Sequence, residues 1–165
     1  MSVAEALFYQ EDGMGLFVRA QGHITAAIST DLRELILERL GHPPVPPLLA
    51  VDLSRCDYMD STFMGLLVGF HKRYKQLAGR ALTLLRPSAE CLKLLTGLGI
   101  LALMSVASGP EPATPERWVP IEARKNPAAE ILLSAHRDLS ELSSDNDRKF
   151  SALRAVLEQQ IENKE

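Results

Sequence analysis

Three residues in a row, Asp60, Ser61 and Thr62, are the side chains of this protein best suited to chemistry. They stand where the apolar run "LLAVDLS" has ended and the apolar run beginning "FMGLLVGF" starts, so they fall at the mouth of a helix. Two roles compete for them. A carboxylate or hydroxyl at that place can accept hydrogen bonds from free backbone N–H groups, a cap worth ~1 kcal/mol. Alternatively, one hydroxyl is a phosphorylation site. A phosphate there gains from the helix dipole and the free amides. It also adds about 1.5 to 2 negative charges beside Asp57 and Asp60, enough to repel a docked partner while the fold tolerates it.

Other chemistry finds little support. There is no Gly-rich phosphate loop, no HExxH and no Gly-x-Ser-x-Gly elbow, and the four histidines His23, His42, His71 and His136 show no paired metal spacing. Asp52, Asp57 and Asp60 lack a base or metal partner and read as a capped, solvated turn. His136 and Arg137 read as a solvated helix face. Cys56 and Cys91 have no metal-ligand spacing and are too few for a disulfide framework, so they are expected to be reduced, buried thiols. No catalytic residue, metal or cofactor is expected. The net charge of −3 and pI near 5.8 argue against a nucleic-acid partner, which would need many phosphate-neutralising Lys and Arg. With no signal-peptide pattern and no membrane-length apolar run, the expected location is cytoplasmic.

The elements that must hold these residues follow from hydrophobic period. Leu7–Gln10 and Leu16–Gln21 read as an antiparallel hairpin around Glu11-Asp12-Gly13, with Leu16, Val18 and Ala20 alternating. Ile28, Leu32, Leu35, Ile36 and Leu40 share a helical face, with Thr25 as N-cap and Gly41 as stop. "LLAVDLS" suits a central strand covered on both faces, and a short loop leads from Ser54 to Asp60. A helix then spans Ser61–Ala78, ended by Gly79, with Phe63, Leu66, Leu67, Phe70, Tyr74 and Leu77 as its core stripe. A strand at Ala81–Leu85, a short helix opening at Ser88 and a strand near Leu103–Val106 complete an order β-β-α-β-α-β-α-β, which calls for a mixed α/β sheet with helical crossovers.

Composition changes at Ser108. Prolines 110, 112, 115, 120 and 127 exclude regular structure, and Trp118, Val119 and Ile121 are expected to pin an extended linker to a surface. Asn126-Pro127 then makes an N-cap and N1 pair. Ile131, Leu132, Ala135, Leu139 and Leu142 form one apolar stripe, and Phe150, Leu153, Leu157 and Ile161 form another after "SSDND", where Ser144 and Asp147 suit a helix start. Two such stripes must be buried on each other, on the domain or on a partner. The expected organisation is a domain over 1–107, a Pro-rich linker over 108–126 and a two-helix extension over 127–165.

The strand "LLAVDLS", the segment "YMDSTFMGLLVGFHKRYKQLAGRALTLL" and the later "LLTGLGILALMSV" together resemble a STAS domain of the bacterial anti-sigma factor antagonist type, over roughly Leu7 to Val106. The resemblance implies a mixed four- or five-strand sheet with helices mainly on one side. It also implies a partner that is both serine kinase and anti-sigma factor, with a cognate phosphatase. The family's phosphorylated serine follows the Asp, which is Ser61 here, and the partner surface falls on Asp60, Ser61, Thr62, Phe63 and Met64. Where the family usually carries Gly two residues after that serine, this chain has Phe63, either as core packing or as a remodelled partner surface. The alternative is a STAS scaffold that is never phosphorylated, in a signalling or membrane-transport complex that it reaches only through a partner. A homodimer through the tail helices is compatible with both.

Overall fold

The structure, a computed structural model, describes residues 4–114, 116–122 and 127–164. Six strands form one sheet in the order β5-β4-β3-β2-β1-β6. The hairpin β1 (Ala6–Asp12) and β2 (Gly15–Ile24) is antiparallel, and β3 (Leu49–Met59), β4 (Thr83–Leu85) and β5 (Ser105–Ala107) add in parallel beyond β2. Crossovers run through α1 (Ala26–Leu40), α2 (Ser61–Ala78) and α3 (Ala89–Gly97), as parallel pairing requires. β3 is the buried centre, unexposed from Leu49 through Leu53. It is longer than its apolar run suggests. The stretch to Asp60 is no loop, because β2 continues to Ile24 and pairs His23 with Tyr58 and Ile24 with Met59.

One face of the sheet carries the main core. Val18, Ala20, Val51 and Leu53 meet Leu32, Ile36 and Leu40 of α1, and Phe63, Leu67, Phe70 and Tyr74 of α2. Tyr74 is fully buried and donates its hydroxyl to the Pro46 carbonyl at 2.8 Å, which ties the Pro-rich connector to the core. α2 has the bounds expected of it and stops at Gly79, whose φ of 70° is open to glycine at little cost. Ser88 caps α3 by accepting from Cys91 N–H at 3.2 Å. Cys56 and Cys91 are free and buried.

The opposite face holds Phe17, Ala50 and Leu85 under Trp118, and a charged group beside them. Asp52, only 4% exposed, takes a hydrogen bond from Arg86 at 2.9 Å and lies 3.7 Å from Arg19, whose guanidinium stacks 4.5 Å above the Trp118 ring. Asp52 is therefore no part of a solvated turn with Asp57 and Asp60. Residue alternation along β3 sends it to the far side of the sheet. Trp118 does pin the segment after Ser108, whereas Val119 is 44% exposed and pins nothing. That segment is also not wholly irregular. β6 (Val119–Ile121) pairs with β1 at the sheet edge, where Pro120 is tolerated because one side of an edge strand needs no donor. Pro115 and the expected N-cap Asn126 lie outside the described residues.

The last two helices, α4 (Ala129–Ser140) and α5 (Ser144–Glu162), form a hairpin whose stripes pack on each other and on α2, except that Leu153 of the expected α5 stripe is exposed. Its turn is capped by Ser143, one residue before the expected start, which accepts from Asn146 N–H at 3.0 Å. The Asn146 amide donates to the carbonyls of Leu139 and Leu98, both at 2.9 Å, fastening the turn to the end of α3. α4 crosses α2 at glycines. A Cβ on Gly65 would sit 2.3 Å from the Ala135 carbonyl oxygen, and one on Gly69 would sit 2.9 Å from Asp138 Oδ2. Lys72 closes the crossing by pairing with Asp138 at 3.0 Å and with Glu141.

Gly65→Ala gains up to ~1 kcal/mol of helix propensity but must push the α4 backbone away, which costs ~1–3 kcal/mol. The clash with a carbonyl wins, so the variant is expected to melt lower and to exchange α4 amides faster. A raised melting temperature would contradict that contact. Asp52 gives a pH prediction. Burial opposes its charge, but Ser54 through its amide and side chain, together with Arg86, overcomes this and holds the carboxyl below the usual range. A lowered folded-state pKa stabilises the protein above the unfolded value of ~3.9, and the gain disappears as pH falls. Asp52→Asn should therefore cost most at neutral pH in urea unfolding, with the gap to wild type closing below about pH 4.

Candidate functional site

The ends of β3 and α2 meet at Asp60. Its backbone is extended, and its Oδ1 accepts the Phe63 N–H at 2.9 Å, so Asp60 is the N-cap of α2. Its Oδ2 accepts the Ala26 N–H at 2.8 Å, and its own N–H donates to the Ile24 carbonyl at 3.0 Å. One carboxylate therefore satisfies the starts of two helices. Thr25 stands at the N-cap position of α1 but makes no side-chain cap, because Asp60 reaches across to supply it.

With the cap supplied by Asp60, the Ser61 hydroxyl is left to another partner. Ser61 is the first residue of α2, half-buried, and its Oγ lies 2.8 Å from His136 Nε2 on α4. His136 is 2% exposed, not solvated. Its Nδ1 lies 2.7 Å from the Leu132 carbonyl, and its ring meets Phe150 of α5 edge-on at 5.2 Å. A carbonyl can only accept, so Nδ1 carries a proton, and in the neutral ring Nε2 is left to accept from the Ser61 hydroxyl. His136 was the residue that sequence reasoning missed. A faint signal existed, since it stands four residues after Leu132 and three before Leu139, at the edge of the α4 stripe.

The other expected site residues divide by depth. Thr62, Phe63 and Met64 are buried, and Phe63 is fully so within the core. The aromatic side chain that replaces the expected glycine is thus packing, not partner surface. Asp60, Ser61 and Met64 do line an open pocket of about 430 Å³ with Tyr58, Lys93 and Lys149. A lysine from α3 and another from α5 therefore line the same pocket as the serine. Among the described residues, no group of three or more His, Cys, Asp or Glu side chains could hold a metal ion, and no helix is long and apolar enough to cross a membrane.

Comparison with known proteins agrees with this architecture. The structure is similar to that of the anti-sigma factor antagonist SpoIIAA in its unphosphorylated form, with a TM-score of 0.50 and 22% identity, covering 66% of this chain and 88% of that one. It is equally similar to the Bacillus cell fate determinant SpoIIAA in the phosphorylated form, with a TM-score of 0.50 and 23% identity over 66% of this chain and 91% of that one. At such identity the likeness is one of fold. No curated protein matches the chain. Residues 7–104, more than half of the 165, match the family described as Mlab, STAS domain; the α4–α5 hairpin falls outside the match, and the chain belongs to the STAS family.

Proposed function

We propose that this protein is a cytoplasmic anti-sigma factor antagonist-like regulator that binds a serine-kinase anti-sigma factor and is switched by phosphorylation of Ser61, with a cognate phosphatase to reset it. The observation that carries this reading is the division of labour at the start of α2. Asp60 provides the cap, so the Ser61 hydroxyl is free of that duty and stands beside an open pocket. The fold is shared with SpoIIAA, which has been solved both with and without phosphate.

The chemistry of the site suits the modification. A phosphate on Ser61 would lie at the positive end of the α2 dipole, in a pocket also lined by Lys93 and Lys149. It would also stand next to Asp60 and near exposed Asp57. At ~5 Å and an effective dielectric of ~20, each added charge pair is worth ~3 kcal/mol before screening, enough to undo a micromolar contact. Because Thr62, Phe63 and Met64 are buried, the partner surface reduces to Asp60, Ser61 and the rim of the pocket, where Met64 is reached from its lining side.

The scaffold alternative loses one support, since Phe63 is core. It keeps part of the other, because Leu153 of the α5 stripe and Val156 beside it remain exposed for a second copy or a permanent partner.

Incubation of the purified protein with ATP, Mg²⁺ and lysate of its host, followed by peptide mass spectrometry, is expected to place one phosphate on Ser61 and none in Ser61→Ala. No phosphate under conditions that label a related control domain would remove the reading. Once the kinase is in hand, Ser61→Asp should weaken its binding at least tenfold in calorimetry, whereas Ser61→Ala should bind as the unmodified protein does. Equal binding by both variants would show that charge at Ser61 does not control the complex.

A further inference from the structure

We propose that Ser61 and His136 form a nucleophile–base dyad, in which His136 on the C-terminal hairpin takes the proton of Ser61 as its Oγ attacks a phosphoryl donor at the pocket. The inference rests on the phospho-switch reading for the identity of the transferred group. The dyad itself stands on geometry.

Three features distinguish this pair from an ordinary surface hydrogen bond. The 2.8 Å contact joins Oγ to Nε2, the nitrogen left basic when Nδ1–H donates to the Leu132 carbonyl at 2.7 Å. A base oriented by a third group is the arrangement by which weak hydroxyl nucleophiles are activated, with a carbonyl here in the place where a carboxylate often stands. The ring is also held still. It is 2% exposed, Phe150 packs against it edge-on, and the α4 backbone that carries it is pressed onto Gly65 of α2 one turn from Ser61. Finally, the hydroxyl is not sealed in. Ser61 lines the 430 Å³ pocket, whose Lys93 and Lys149 favour an anionic electrophile.

The step balances within the site. As the Oγ–P bond forms, the hydroxyl proton passes to Nε2 and the P–O bond to the leaving group breaks. A phosphoanhydride donor such as a nucleoside triphosphate leaves as the diphosphate with that electron pair. The product is a phosphoserine beside an imidazolium, a pair of opposite charges. The family match covers residues 7–104, so the base lies on a hairpin outside the matched domain.

A fluorophosphonate probe tests the dyad on the full chain without a kinase, because it phosphonylates an activated serine with loss of fluoride. Peptide mass spectrometry is expected to find Ser61 labelled, with exposed Ser54, Ser144 and Ser151 as unreactive internal references. His136→Asn retains a donor toward Leu132 and His136→Gln retains a polar group toward Ser61, but neither is basic. Both should lower the labelling rate ~100-fold, the scale of general-base catalysis, with the fold verified by melting. Labelling of Ser61 no faster than of the reference serines, or variants that retain the wild-type rate, would overturn the dyad. If the probe labels Ser61 no differently in the His136 variants but a kinase still phosphorylates Ser61, the dyad falls and the switch stands. If the probe labels Ser61 through His136 but no kinase modifies it, the switch falls and the dyad stands.

Discussion

The carboxylate of Asp60 accepts amide protons from two helices at once, Phe63 of α2 and Ala26 of α1, while its own amide is tied to Ile24 at the end of β2. Each of these backbone groups would otherwise be left without an intrahelical partner at a helix start. By joining the ends of two neighbouring parallel strands to the helices that follow them, Asp60 sets where α2 begins and which way its first side chains point. Phe63 and Leu67 then fall toward the sheet, and Ser61, Gly65 and Gly69 fall toward the hairpin. The position of the hydroxyl is thus a consequence of a cap made by its neighbour.

β3 shows how one strand serves two separate networks. Val51 and Leu53 enter the main core, while Asp52 between them enters the charged cluster with Arg86, Arg19 and Trp118. A buried carboxylate is costly unless it is hydrogen-bonded and paired, and here Ser54 and Arg86 supply both. The polypeptide after Ser108 completes that second face, with Trp118 over the cluster and β6 on the edge of β1. The Pro-rich stretch is thereby part of the fold's second surface.

What was legible in the sequence was local. α2 could be bounded from its apolar stripe, its acidic start and Gly79, and the mixed sheet followed from strands alternating with helices. Features that depend on distant pairing were not legible. β3 runs on to Met59 only because β2 runs on to Ile24, and β6 exists only because β1 offers an edge. Asp52, Asp57 and Asp60 look like one acidic cluster along the chain, yet strand alternation and a helix cap send them to three environments. His136 is 75 residues from Ser61, beyond any helical or strand period, and only the packing of α4 on the glycines of α2 brings them together.

That glycine crossing makes the chain its own ligand. The outer face of α2, where a Cβ would collide with Ala135, is filled by a helix that can never diffuse away. A tethered segment of this kind faces its site at an effective concentration on the order of millimolar. An outside helix present at about micromolar level starts a thousandfold behind, a handicap of ~4 kcal/mol before any contact is compared. The groove along α2 is therefore a poor seat for any helix from outside the chain.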